Sequence, residues 1–204
     1  MGSLRVLNAI GNTPLVEFRR VVPSGAARIV AKLESANPTG SMKDRMALAL
    51  VEGAISNGSL QPGGTVVEYT AGTTGISLAF VCAALGYGAH FVFSDAFSDE
   101  KRHTMRAFGA EITDVPSDNK KITEQLIKTM IRTADELSRQ PGHWWCDQLT
   151  NRDGEAGYHP LAEELWEQSG GSVDAFVHSV STAHSIHGTA YVLRRRNPES
   201  TSWQ

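Results

Sequence analysis

Short β-branched and aromatic runs alternate along the chain with longer stretches whose apolar residues recur every three or four positions, a rhythm that predicts an α/β fold. The runs predict strands over residues 28–33, 65–69, 90–93, 111–115, 143–146 and 175–180, and the longer stretches predict helices over 44–57, 75–85, 99–108, 120–138, 155–168 and 186–196. No internal repeat or low-complexity tract interrupts this order. Ser41 with Asp44 three residues on matches a capping box, and Gly58 stands where a left-handed helix stop belongs. Lys43 therefore falls in the first turn of the first helix, beside exposed backbone donors.

Two junctions in this pattern carry candidate chemistry. The strand over 65–69 runs through the tight polar segment Thr70-Ala71-Gly72-Thr73-Thr74-Gly75 into an apolar helix. Such a loop turns its N–H groups and the positive end of the helix dipole toward whatever sits above it, which suits a carboxylate or a phosphate. The same arrangement recurs where residues 173–180 lead through Ser181-Thr182-Ala183-His184-Ser185 into a helix beginning near Ile186. Two anion-ready loops in one α/β chain point to a ligand with two acidic ends, because ligands of open parallel sheets gather at the carboxyl ends of the strands. An ordinary strand-to-helix turn is the alternative for either loop, and Lys43 taken alone reads as a solvated lysine.

Composition narrows the picture. A chain of 204 residues, 41% apolar, can bury a sizeable core as one large domain or two small ones. Nineteen basic against 22 acidic residues leave a net charge of -3 and no field to concentrate a polyanion, so nucleic acid is not an expected partner. Arg194-Arg195-Arg196 ends a predicted helix, where positive charge complements the dipole. The opening Met1-Gly2-Ser3-Leu4-Arg5 has no signal-peptide core, and no run approaches the roughly 18 apolar residues of a membrane span, so a cytoplasmic protein with no membrane partner is expected. Cys82 and Cys146 read as reduced core thiols, and Trp166 fits the apolar stripe of its helix. His178, His184 and His187 lack Cys or carboxylate companions at a ligand spacing, so no metal is expected and they read as polar loop and helix-surface residues.

In order, Gly11-Asn12-Thr13-Pro14-Leu15, then Asn37-Pro38-Thr39-Gly40-Ser41-Met42-Lys43-Asp44-Arg45, then Pro62-Gly63-Gly64-Thr65-Val66-Val67-Glu68 leading into Thr70 to Gly75, resemble the successive signatures of cysteine synthases and cystathionine β-synthases. The resemblance continues through Asp99-Glu100-Lys101-Arg102, Met105-Arg106-Ala107-Phe108-Gly109-Ala110 and Val173-Asp174-Ala175-Phe176-Val177, covering nearly the whole chain. It implies a fold-type-II enzyme with two three-layer α/β domains and pyridoxal 5'-phosphate in the cleft between them. Residues 1–40 with 147–204 would form the large cofactor domain, incomplete at its C-terminal end, and residues 41–146 a small mobile domain.

By the same resemblance Lys43 is the catalytic lysine that forms the internal aldimine. Thr70, Ala71, Gly72 and Thr74, helped by Gln148, hold the substrate carboxylate. Thr73 stands where the family usually has an asparagine bonded to the cofactor hydroxyl, and Ser181, Thr182, Ala183, His184 and Ser185 match the loop around the cofactor phosphate. The implied activity is β-replacement on O-acetylserine or a related β-substituted amino acid, through an aminoacrylate, in a homodimer. The chain departs from the family pattern at Thr70-Ala71-Gly72-Thr73-Thr74-Gly75 (usually T-S-G-N-T-G), at Ser181 to Ser185 (usually G-T-G-G-T), and in ending soon after the helix that follows. These departures motivate an alternative, a non-catalytic relative whose cleft binds an amino acid or a partner peptide.

Overall fold

The computed structural model describes residues 6–198. Its centre is a four-stranded parallel sheet formed by β3 (Thr65–Tyr69), β4 (Gly88–Ser94), β5 (Glu111–Val115) and β6 (His143–Trp145), in the order β5-β4-β3-β6. Side chains of a strand alternate between faces. Val66 packs with Phe91 and Phe93 against α1 (Lys43–Ser56) and α2 (Thr73–Leu85), while Val67 and Val92 face Leu126, Met130 and Ala134 of α4 (Glu124–Ser138). Helix α2 is buried along most of its length, which explains why its sequence is apolar almost all round. Helix α3 (Asp99–Ala107) covers the β5 side and contributes only Met105 to the core.

Successive strands β3, β4 and β5 step outward in one direction, and the chain then returns to lay β6 on the other side of β3. The sheet therefore has a topological switch between β3 and β6, and the loops leaving their carboxyl ends flank a natural crevice. Around this layered unit lie a hairpin of β1 (Leu15–Phe18) and β2 (Ile29–Lys32), a short helix α5 (Asp153–Ala156), α6 (His159–Gln168) and α7 (His184–Arg196). Arg45 joins the two parts: its guanidinium bonds Glu34 at 2.7 Å and Glu164 at 2.7 Å, and Lys32 reaches Glu164 at 2.7 Å.

The predicted rhythm holds for five of the six strands, and the departures have local causes. Residues 175–180 form no strand; they run as irregular backbone with no neighbouring strand among the described residues to pair with. The helix expected over 155–168 is divided, because Pro160 cannot donate to Ala156 and its ring crowds that carbonyl. Gly157 at the break lies so close to α1 that a Cβ there would sit 2.7 Å from the Arg45 carbonyl. Helix α4 starts at Glu124 rather than 120, since Asn119 and Lys120 have positive φ and Thr123 caps the helix by accepting from Leu126 N at 3.1 Å. Strand β1 is only four residues long and gives too little alternation to read.

Candidate functional site

The first wall of the site is the start of α1. Asp44 accepts the Thr39 backbone N–H at 2.8 Å and the Thr39 hydroxyl, while Ser41 Oγ accepts the Lys43 N–H at 3.1 Å. The capping box is thus redrawn, with Asp44 reaching back to Thr39 instead of the cap residue, because Met42 and not Ser41 is the N-cap. Lys43 opens the helix with 9% of its surface exposed, and it forms no ion pair among the described residues. Burial without a counter-charge disfavours the ammonium and lowers its pKa.

The second wall is the β3–α2 loop. Thr70 Oγ1 accepts the N–H groups of Gly72 at 2.9 Å and Gly75 at 3.1 Å, curling the segment over its own hydroxyl. Gly72 has φ +124°, and a Cβ there would fall 2.2 Å from Lys101 Cδ, so both conformation and space demand glycine. Thr74 donates to Gln148 Oε1 at 2.7 Å, and Gln148 Nε2 donates to the Tyr69 carbonyl at 3.0 Å. Thr70, Gly72 and Thr74 and the sequence-distant Gln148 are therefore one buried unit at the switch between β3 and β6, while Ala71 and Thr73 are exposed at its mouth. Beneath it Glu68, with 0% exposure, accepts the backbone N–H of Gln148 at 2.9 Å and of Tyr69 at 3.0 Å. Burial pushes its carboxyl up to about 8, against the pull of those two hydrogen bonds.

The third wall is the start of α7. Ala183 is its N-cap and lies in the left-handed region at φ +68°, with no side chain capping the first turn. The Thr182 hydroxyl is buried and has no partner among the described residues. His184 is buried, contrary to the helix-surface expectation, with Nδ1 3.4 Å from Met46 Sδ on α1; Ser185 is buried and its hydroxyl lies 2.9 Å from His178 Nε2. Burial, and after it the Lys43 charge, holds both imidazoles below their ordinary pKa. His184 thus packs on α1 one turn along from Lys43, which makes Lys43 and the α7 start neighbours. Ser181 is exposed at the loop's edge.

Cys82 and Cys146 are fully buried thiols with raised pKa, inert by burial, and Trp166 packs on the small core cluster of α6 and α7. Among the described residues no three His, Cys, Asp or Glu side chains converge as metal ligands. Sequence reasoning did not single out Glu68 or the partnership of His178 with Ser185. A lone acidic residue inside Thr65-Val66-Val67-Glu68-Tyr69 is a usable signal for the first, since a strand buried on both faces otherwise excludes charge.

An amine whose pKa burial lowers can attack a carbonyl carbon and later carry a proton. An uncapped helix start with an orphan hydroxyl can take a phosphate, and a loop at a topological switch can take a carboxylate. Residues 6–203 match the family described as pyridoxal-phosphate dependent enzyme. The chain is similar to a cysteine synthase of Staphylococcus aureus, 40% identical over 195 residues that are 95% of this chain and 61% of that protein. Its structure is similar to the cysteine synthase of Entamoeba histolytica, with TM-score 0.84 and 33% identity over 97% of this chain and 58% of the other. It is also similar to O-ureido-L-serine synthase in a lysine-to-alanine variant bound to O-ureido-L-serine, with TM-score 0.86 and 35% identity over 96% of this chain and 60% of the other. The chain spans about three-fifths of the length of the curated relatives it matches, 61% for the first. It belongs to the pyridoxal-phosphate dependent enzymes and has part of their fold-type-II architecture.

Proposed function

Starting from that membership, we propose that the chain carries the catalytic lysine of a cysteine synthase-like enzyme that exchanges the β-substituent of an amino acid such as O-acetyl-L-serine for sulfide. The observation that carries this reading is the buried, unpaired Lys43 amine at the start of α1, next to the uncapped α7 start. Those residues fit pyridoxal 5'-phosphate. Lys43 would hold its aldehyde carbon, the first-turn N–H groups of α7 with Ser181, Thr182, Ala183, His184 and Ser185 would hold its phosphate, and Thr73 would stand by its ring. When bound, this group supplies an aldehyde that captures an amine and a conjugated ring that accepts electrons from the α-carbon.

The remaining steps belong to the chain. Thr70, Ala71, Gly72 and Thr74, braced by Gln148, receive the substrate carboxylate at the positive end of α2. Lys43 Nζ, whose pKa desolvation lowers, takes the α-proton and returns it when the new β-bond is made. The relatives' names, cysteine synthase and O-ureido-L-serine synthase, support a serine-derived donor. The four-stranded sheet, complete within residues 65–145, supports a division into a small domain over 41–146 and a larger unit formed by 1–40 and 147–204. A homodimer in the cytoplasm completes the proposal, and no helix among the described residues is long and apolar enough to cross a membrane.

The test is cysteine formation from O-acetyl-L-serine and sulfide by the protein saturated with pyridoxal phosphate. Activity that Lys43→Ala abolishes supports the proposal, and equal cysteine formation by the variant rejects it.

A further inference from the structure

Glu68 has no part in the chemistry just described, yet it is the ionisable group most completely removed from water in the molecule's central sheet. A carboxyl group at 0% exposure on a strand has lost its hydration, and only its hydrogen bonds within the fold offset that loss. Its two oxygens are committed separately. Oε1 accepts the Tyr69 N–H at 3.0 Å, and Oε2 accepts the Gln148 N–H at 2.9 Å across 80 residues of sequence.

The residue just before Gln148 makes that second bond informative. Asp147 has φ +46°, an uncommon conformation for a residue with a side chain, so the chain leaving β6 is bent sharply where it must present Gln148. That bend needs something to hold it. The Gln148 side chain then spans the switch crevice, accepting from Thr74 Oγ1 at 2.7 Å and donating to the Tyr69 carbonyl at 3.0 Å.

We propose that Glu68 is a positioning residue: by accepting the Gln148 backbone N–H it fixes the Gln148 bridge to Thr74 and thereby the shape of the loop that receives the substrate carboxylate. The inference rests on the carboxylate-binding role given to that loop above. The hold is strongest when Glu68 is ionised, because a bond to a charged acceptor is about twice as strong as a neutral one. The groups facing it are Asp147 and Cys146 from the segment after β6, Tyr69 on its own strand and the Trp145 indole; Cys82 of α2 lies against Cys146, and β4 places Phe91 opposite. None of these is a cation, and burial pushes the carboxyl up to about 8.

Two measurements on the cofactor-loaded protein test this. The first follows the Gln148 backbone amide proton by nuclear magnetic resonance from pH 6 to pH 9.5. It is expected to move downfield with a midpoint near 8 in the wild type and to stay flat in Glu68→Gln. The second is the O-acetyl-L-serine concentration that half-saturates the cofactor's absorbance change. Glu68→Gln and Gln148→Ala are each expected to raise it about tenfold at pH 9, the scale of one charge-assisted hydrogen bond.

A Gln148 amide proton that neither titrates nor lies downfield, as a carboxylate-bonded amide does, at any pH in the wild type overturns the proposal without any variant, so poor folding of Glu68→Gln does not protect it. Weakened binding in Gln148→Ala with unchanged binding in a folded Glu68→Gln also overturns it, and leaves the loop's function standing. No absorbance response, or unchanged binding in both variants, rejects the carboxylate-binding loop and the positioning role together.

Discussion

The two anion-ready loops differ in how firmly this chain holds them. The β3–α2 loop leaves a strand paired on both sides, is curled around Thr70 Oγ1, fits Gly72 and Gly75 into spaces with no room for a Cβ, and is tied to Gln148 and Glu68. The loop before α7 leaves an irregular segment whose Val177 is 84% and Val180 64% exposed, turns through a non-glycine residue at positive φ and keeps an orphan hydroxyl. Similar sequence patterns, strand then polar turn then helix, thus give a preorganised site in one place and a strained, partly supported one in the other. The difference lies in what surrounds the strand: backbone groups that find ladder partners fix the loop that follows them.

The largest effect that would break this contrast is expected at Gly72. Gly72→Ala forces a Cβ into Lys101 at a φ that side chains avoid, and should lower unfolding free energy by about 2 to 4 kcal/mol, read as a fall in the urea midpoint at unchanged slope. A neutral result would mean the loop is as pliable as its counterpart.

The pH dependence of stability should have opposite signs in the two regions. The Glu68 pKa is raised on folding, so its contribution is full below the unfolded carboxyl range and is lost as pH rises through about 8. The pKa values of His178 and His184 are lowered on folding, so their contribution is present above the ordinary imidazole range and is lost as pH falls through the depressed values. Urea titrations at pH 5, 6.5 and 8 check both: Glu68→Gln should flatten the alkaline loss, and His184→Asn should lessen the acid loss. Either variant acting on the wrong limb contradicts the assignment.

The smallest effect runs the other way. Ala183→Gly relieves a left-handed residue and should raise stability by about 0.5 to 1 kcal/mol, visible as a higher melting temperature, whereas the same change in an unstrained helix costs about that much.

Legibility in the sequence followed the same divide. Thr70 to Gly75 could be read because a fully paired strand precedes it, and Lys43 because its helix start is set by the chain around it. Residues 175–180 have strand chemistry and no strand, since β-branched residues specify extended backbone only where a neighbour completes the ladder. Glu68 escaped notice because one polar residue in an alternating run looks like a solvent-facing position, and only the sheet's two covered faces show that it is not. The Gln148 bridge joins positions 74 residues apart, and no local pattern records it.

The central claim is that Lys43 is the cofactor lysine of this chain. The most direct measurement is borohydride reduction of the protein incubated with pyridoxal phosphate, followed by peptide mass mapping. The account predicts one reduced cofactor per chain, fixed on Lys43 and lost in Lys43→Ala. Label spread over surface lysines such as Lys120 and Lys128, with Lys43 unmodified, would contradict it.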